Sequence, residues 1–257
     1  MKIASWNVNG IRAVQRKGAL DWIWSSDLDA LCVQETKAHP DQLEPALTAP
    51  PGWRSRWVAA EKKGYSGVAT FVREGLAVAG ERAGFGVKRF DGEGRTLVTD
   101  FGAFVLYNVY FPNGKASEER LAYKLGFYAA FRRHANAQVK AGRRVVICGD
   151  VNTAHRPIDL ARPEENETVS GFLPEERAWL DAFTRDGWVD TYRALHGDRP
   201  DVYTWWSQRS GARLRNIGWR IDYFFVDAAL RPALREAWIR PEIMGSDHCP
   251  LGIEILL

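Results

Sequence analysis

The residues of this sequence able to do chemistry sit where apolar runs end. The run Arg144-Val145-Val146-Ile147-Cys148-Gly149 leads into Asp150-Val151-Asn152, and its apolar stretch from Val145 to Gly149 predicts a buried strand. Side chains two apart on an extended chain share a face, so Asp150 and Asn152 would stand side by side, one able to take a proton and the other to donate a hydrogen bond. A lone Asp-x-Asn more often caps a turn, but here the device recurs. Asn7 and Asn9 follow the strand from Ile3 to Trp6, Glu35 closes the run from Ala30 to Gln34, and Tyr110 closes the run from Phe104. Asp247 and His248 precede a closing strand from Leu251 to Leu256, and Asp222 lies inside the strand from Ile221 to Val226. Carboxylates and amides without a Cys or His cluster are hard ligands that suit Mg²⁺ or Mn²⁺, with Glu35 the best single ligand candidate. A hydrated cation held by few carboxylates shares its remaining sites with phosphate, which points to phosphoester chemistry. Asp150 could activate water, while the cation, His248, Tyr110 and Asn152 could stabilise the phosphate and the leaving oxygen. If Asp222 pairs with His248, the imidazole is held oriented and protonated, a cation aimed at phosphate.

The elements that must position these residues are legible from periodicity. A helix is expected from Arg12 to Ser26, with Leu20, Ile23 and Trp24 on one face. Its early cations Arg12, Arg16 and Lys17 oppose the macrodipole, which suits either an anionic partner or a solvated face. Between Trp53 and Tyr110, short alternating runs separated by glycine-rich turns read as mostly antiparallel strands. Ser117 is an N-cap, followed by Glu118 and Glu119 and an apolar spacing that persists until Gly142, so one long helix delivers the chain into the strand before Asp150. The stretch from Ala154 to Phe172 reads as a long loop, and Pro174 opens another helix. The two halves echo one another without a linker, so residues 1–257 form a single domain. From Val202 to Ile221 there is no acid, and Arg209, Arg213, Arg215 and Arg220 interleave with Trp205, Trp206 and Trp219. Such interleaving suits an anionic backbone beside a flat base or sugar; the structural alternative is a tryptophan-rich core edge with solvated arginines.

Composition narrows the class. A chain of 257 residues, 46% hydrophobic and 12% aromatic, can bury a thick core. No apolar run approaches the ~20 residues of a membrane span, and the first residues read as a strand, not a signal peptide, so a cytoplasmic location is expected, nucleoid-associated if the source is prokaryotic. Three cysteines cannot all pair, and neither a disulfide framework nor a zinc cluster is expected. A net charge of +3 does not identify a nucleic-acid partner, so the placement of charge carries more weight than its sum. A Ser-His-Asp hydrolase fails on its nucleophile, because Gly64-Tyr65-Ser66-Gly67-Val68 departs from Gly-x-Ser-x-Gly and precedes a strand. There is no P-loop.

With these residues assembled, the chain resembles the exonuclease III family of abasic-site (AP) endonucleases, within the endonuclease/exonuclease/phosphatase superfamily. The motifs are Ser5-Trp6-Asn7-Val8-Asn9-Gly10-Ile11-Arg12, Gln34-Glu35-Thr36-Lys37, Gly64-Tyr65-Ser66-Gly67, Gly149-Asp150-Val151-Asn152, Gly218-Trp219-Arg220-Ile221-Asp222-Tyr223 and Ser246-Asp247-His248. The resemblance implies an α/β fold of DNase I type: a four-layered sandwich of two mainly antiparallel sheets, face to face between helices. It implies Glu35 as main metal ligand, with Asn7, Asp247, Asp150, Asn152 and His248 around the cation. Asp150 would activate water, Asn152 orient it, Tyr110 and His248 hold the phosphate, and Asp222 pair with His248. Trp205, Trp219 and Ile221 would line a pocket for a base-less sugar, with Asn113 and Asn166 as phosphate or pocket contacts. Arg12, Lys17, Tyr65, Arg95 and Arg209 would contact DNA. Asn9 stands where some relatives carry Asp, which removes one negative charge near the metal. The implied activity is Mg²⁺-dependent cleavage of double-stranded DNA 5′ to abasic sites, with removal of 3′ blocking groups and 3′ to 5′ exonuclease action; no membrane and no obligate protein partner are inferred. The alternatives are a superfamily phosphatase acting on another phosphoester and a non-catalytic DNA-binding protein on the same scaffold. The aromatic-basic loop disfavours the first, and Asp150, which would repel phosphate in a mere binder, disfavours the second.

Overall fold

Strand-period alternation builds the layers. In Val145–Asp150, Val146 and Cys148 turn one way to pack with Ile3, Cys32 and Phe224, whereas Val145 and Ile147 turn the other way against Phe131, Leu180 and Phe183. The computed structural model, which describes residues 1–256, has two six-stranded sheets. In spatial order the first holds Leu234–Ile239, Leu251–Ile255, Lys2–Asn7, Ala30–Gln34, Val68–Arg73 and Trp53–Val58. The second holds Gly80–Ala83, Thr96–Asp100, Val105–Tyr110, Val145–Asp150, Asp222–Asp227 and Trp188–Asp190. Each sheet has one parallel pair, Lys2–Asn7 with Ala30–Gln34 and Val105–Tyr110 with Val145–Asp150; the other pairings are antiparallel. Both parallel pairs are joined through helices, as parallel geometry requires, and this is the physical content of the two related halves.

Helices cover both outer faces. The first sheet packs Ala4, Trp6, Leu31 and Phe71 against Ile11, Val14 and Ile23 from the N-terminal helices. The second packs Tyr107, Ile147 and Phe225 against Glu118–Lys140 and Pro174–Arg185. An aromatic column tightens this side: Tyr128 stacks on Trp179 at 4.2 Å, Trp179 on Phe183 at 4.8 Å, and Phe183 on Trp188 at 4.8 Å. Such pairs contribute ~0.5–1.5 kcal/mol each beyond burial. The four layers expected of the fold are present.

Several elements differ from expectation. The helix expected over 12–26 is two short ones, Ile11–Arg16 and Asp21–Trp24, because Gly18 takes φ +64° between them. The expected loop over 154–172 contains a 3₁₀ turn at Pro157–Asp159 and a short helix at Pro163–Asn166. The long helix follows its signals: Ser117 Oγ accepts the Arg120 amide at 3.2 Å, and the helix ends at Lys140, just ahead of Gly142 at φ +83°. All three cysteines are buried and free.

Candidate active site

The two sheets bring their polar strand ends to one edge of the sandwich. Cross-strand register places Tyr110 and Asp222 on either side of Asp150 in the second sheet. Asn7 and Glu35 arrive from the first sheet, Glu35 on a left-handed residue at φ +53° directly after its strand. A buried polar pillar ties the sheets beneath them: Gln34 donates to Ser5 Oγ at 2.9 Å and to Asn108 Oδ1 at 2.8 Å, and Asn108 donates to the Ala69 carbonyl at 2.9 Å. Buried amide hydrogen bonds that cross between the sheets favour one alignment of them, although the Gln34 Oε1 has no partner.

Asp150 is the junction. Asn7 Nδ2 bridges its Oδ2 and Glu35 Oε1, each at 2.9 Å. Its Oδ1 accepts the Asn152 amide at 2.7 Å, and Asn152 Nδ2 lies 3.1 Å from its Oδ2. Asn152 takes φ +57°. Buried Lys124 holds that conformation by donating to the Asn152 carbonyl at 2.8 Å while paired with buried Glu176 at 2.6 Å. Burial, together with the charges of Asp222 and Glu35, raises the Asp150 carboxyl to about 8. His248 Nδ1 meets Asp222 Oδ2 at 2.8 Å, which leaves Nε2 facing Asp150 at 4.0 Å. Burial works against a charged imidazole, but Asp222, helped by Asp150 and Asp247, overrides it and raises His248 to about 10. Thr204 fixes Asp222 in turn, donating from Oγ1 to Asp222 Oδ2 at 2.6 Å and accepting the Ile221 and Asp222 amides at 3.1 Å. Burial and the Glu35 charge push the Tyr110 phenol well above its ordinary value, so it remains a donor.

A cleft of about 340 Å³ opens over this row. Trp205 and Trp219 meet edge to face, centroids 6.2 Å apart, on the paired strands Trp205–Trp206 and Gly218–Trp219, and Ile221 completes the apolar wall. Asn113 reaches the same cleft and donates to Asn152 Oδ1 at 2.9 Å.

Carboxylate oxygens of Glu35 and Asp150 and a ring nitrogen of His248 lie within 4.8 Å of one another, close enough to hold a metal ion. The oxygen donors fit a hard cation. Burial resists ionisation of Glu35, yet Lys37, 2.9 Å away, and Asn7 keep it ionised. His248, expected among the ligands, binds Asp222 through Nδ1 and turns Nε2 toward Asp150. Asn152 donates its amide group to Phe111 O and Asp150, and its oxygen accepts from Asn113 with one lone pair left. Asp247 is held by Asn9 at 2.9 Å and Trp205 at 3.2 Å.

Other expected residues lie elsewhere. Asn166 ends a short helix and donates to the Arg162 carbonyl at 2.8 Å, away from the cleft wall. Arg95, expected on DNA, is 2% exposed; it is paired with Glu93, donates to the Tyr110 carbonyl at 3.1 Å and to Tyr65 Oη at 2.8 Å, and stacks 4.6 Å over the Tyr110 ring. It supports Tyr110. Arg220, read as part of a basic loop, is 1% exposed and clamped between Asp159 at 2.7 Å and Asp190 at 2.8 Å. Arg12, Lys17 and Arg209 are exposed, and Tyr65 is half-buried. The sequence reading missed Thr204, Lys115, Lys124 and Glu176. Nothing in their local spacing marks them, although Lys115 follows Asn113 by two and Thr204 precedes Trp205 directly.

Together the row offers a carboxylate for water, donors for a phosphate and a carboxylate for a cation, the parts of a phosphodiester hydrolase. The chain belongs to the Endonuclease/Exonuclease/phosphatase family, whose model matches residues 4–248, and the family depends on divalent metal. Within it, the chain is 40% identical to the exodeoxyribonuclease of Bacillus subtilis (strain 168) over 257 residues, 99% of each chain. It superposes on the AP endonuclease of Leishmania major with TM-score 0.89 and 30% identity, over 100% of this chain and 87% of the other. A 3′ phosphatase from Neisseria bound to a product DNA hairpin matches with TM-score 0.90 and 27% identity over 100% of both.

Proposed function

We propose that this chain is a DNA-repair phosphodiesterase that cuts the backbone 5′ to an abasic site in duplex DNA and also removes blocks and nucleotides from 3′ ends. One observation carries the reading: a cleft with one apolar wall of Trp205, Trp219 and Ile221 opens over a carboxylate–amide–imidazole row. The walls suit a sugar without a base, which costs less to turn out of the stack than an intact nucleotide. Asp150, in its ionised form, takes a proton from water that Asn152 orients, and His248 and Tyr110 donate to the phosphate oxygens as charge develops. Bound Mg²⁺, held by Glu35 with Asn7 and Asp247 nearby, would supply Lewis-acid stabilisation of the phosphate. Exposed Arg12, Lys17 and Arg209 supply charge for the flanking strands, so binding weakens with salt.

The test is a labelled duplex with a single tetrahydrofuran abasic analogue, incubated with Mg²⁺ and, separately, with chelator. Incision immediately 5′ to the analogue, dependent on metal and absent on the intact duplex, is the expected result. Hydrolysis of a soluble phosphomonoester without incision of this duplex would replace the reading with that of a phosphatase.

A further inference from the structure

Lys115 has no role in the hydrolysis described above, yet its amine occupies the corner that the two cleft indoles form. Nζ lies 5.2 Å from the centroid of Trp205 and 5.2 Å from that of Trp219. The position is built: the Lys115 amide donates to Asn113 Oδ1 at 2.8 Å, and Asn113 donates to Asn152 Oδ1 at 2.9 Å, so the lysine backbone is tied to the catalytic row. No carboxylate pairs with this ammonium among the described residues. The cleft walls lower its pKa, against the opposing charges of Glu176 and Asp150, while the side chain remains exposed to solvent at the cleft mouth. Cation–π contacts alone would hold a charged lysine here, but the cleft's proposed occupant brings a different chemistry. A base-less deoxyribose opens from its hemiacetal to an aldehyde at C1′, and a lysine amine beside an aldehyde is a Schiff-base former.

We propose that Lys115 captures the aldehyde of the abasic sugar as a reversible imine. The Nζ lone pair bonds to C1′, the carbonyl oxygen takes up a proton to give a carbinolamine, and loss of that hydroxyl as water leaves the protonated C=N bond. Addition of water reverses the steps and frees both aldehyde and amine, so no oxidant or reductant is consumed. The covalent hold selects open-chain abasic sugars over intact nucleotides, and retains the sugar after the backbone is cut. This inference rests on the abasic-site reading and is tested apart from hydrolysis.

The full chain is incubated in chelator with cyanoborohydride and a duplex carrying either a natural abasic site or its tetrahydrofuran analogue, which has no aldehyde. A reduced protein–DNA adduct with the natural site alone, mapped by peptide mass spectrometry to Lys115 and lost in Lys115→Arg, is the expected result. An adduct mapped to other lysines, or equal trapping by Lys115→Arg, overturns the proposal. Metal-dependent incision of the tetrahydrofuran duplex without trapping of the natural site overturns the imine alone; failure of incision on both duplexes overturns the abasic-site reading beneath it.

Discussion

Asp222→Asn separates the charge of His248 from its position. Asp222 is the largest influence raising His248 to about 10, while burial acts in the opposite direction. At that value only about one imidazole in a thousand is neutral at pH 7. The amide keeps the shape and still offers Thr204 an acceptor in place of the bond now made at 2.6 Å. Without the carboxylate, burial offsets the remaining pull of Asp150 and Asp247, and the imidazole returns toward its ordinary ~6.5. The charged fraction then falls to about a quarter at pH 7 and about 3% at pH 8. If imidazolium is the form that stabilises the phosphate, the variant loses roughly 4-fold at pH 7 and roughly 30-fold at pH 8 beyond any constant loss from misorientation. Single-turnover incision of the tetrahydrofuran duplex in saturating Mg²⁺, from pH 6 to 9, measures this as the ratio of wild type to variant. Because the Asp222 charge also raises Asp150, the ionisation of Asp150 is fitted in each protein's own profile before the ratio is taken. A ratio that stays constant across the range, with melting temperatures matched, would refute the reasoning.

Glu35→Ala should raise the Mg²⁺ concentration for half-maximal incision; an unchanged metal titration would remove Glu35 as main ligand. Gly171→Ala places a methyl 3.1 Å from a Trp219 ring carbon at a backbone φ of +103°, so abasic incision should fall by about 10-fold or more while release of a 3′ phosphate falls less; proportional losses in the two assays would count against the cleft as the sugar site. Breaking the buried Lys124–Glu176 pair by Glu176→Gln should cost ~3–5 kcal/mol and lower the melting temperature by on the order of 10 °C, with an unchanged melt contradicting its role in holding the Asn152 backbone. The metal-free protein should lose stability as pH rises from about 4 to about 10. Asp150, raised to about 8, and His248, raised to about 10, both keep protons in the fold that the unfolded chain has already released at ~3.9 and ~6.5. The folded state therefore binds more protons and is penalised as they are withdrawn. Thermal melts in chelator test this, and a flat profile over that range would reject it.

Local signals settled much of this protein. Alternation over 145–150 and the pairs at i and i+2 after it placed Asp150 and Asn152 on one strand end. Ser117 and Gly142 bracketed the long helix, because caps and left-handed positions are properties of a few neighbouring residues. The strands Trp188–Asp190 and Leu234–Ile239 gave no such signal: each is an edge strand, and only one row of partners constrains its composition. The spatial meaning of charge was decided by packing. Arg95 and Arg220 are indistinguishable in type from Arg12 and Arg209, yet the fold buries the first two in carboxylate clamps and leaves the second two exposed. Asn7 meets Asp150 across 143 residues, and Lys124 meets Glu176 across 52. Periodicity fixes which face a side chain takes, whereas contacts over such separations exist only once two sheets and their covering helices have locked in one register, so the site's residue types are local facts and its distances, protonation and cleft are tertiary ones.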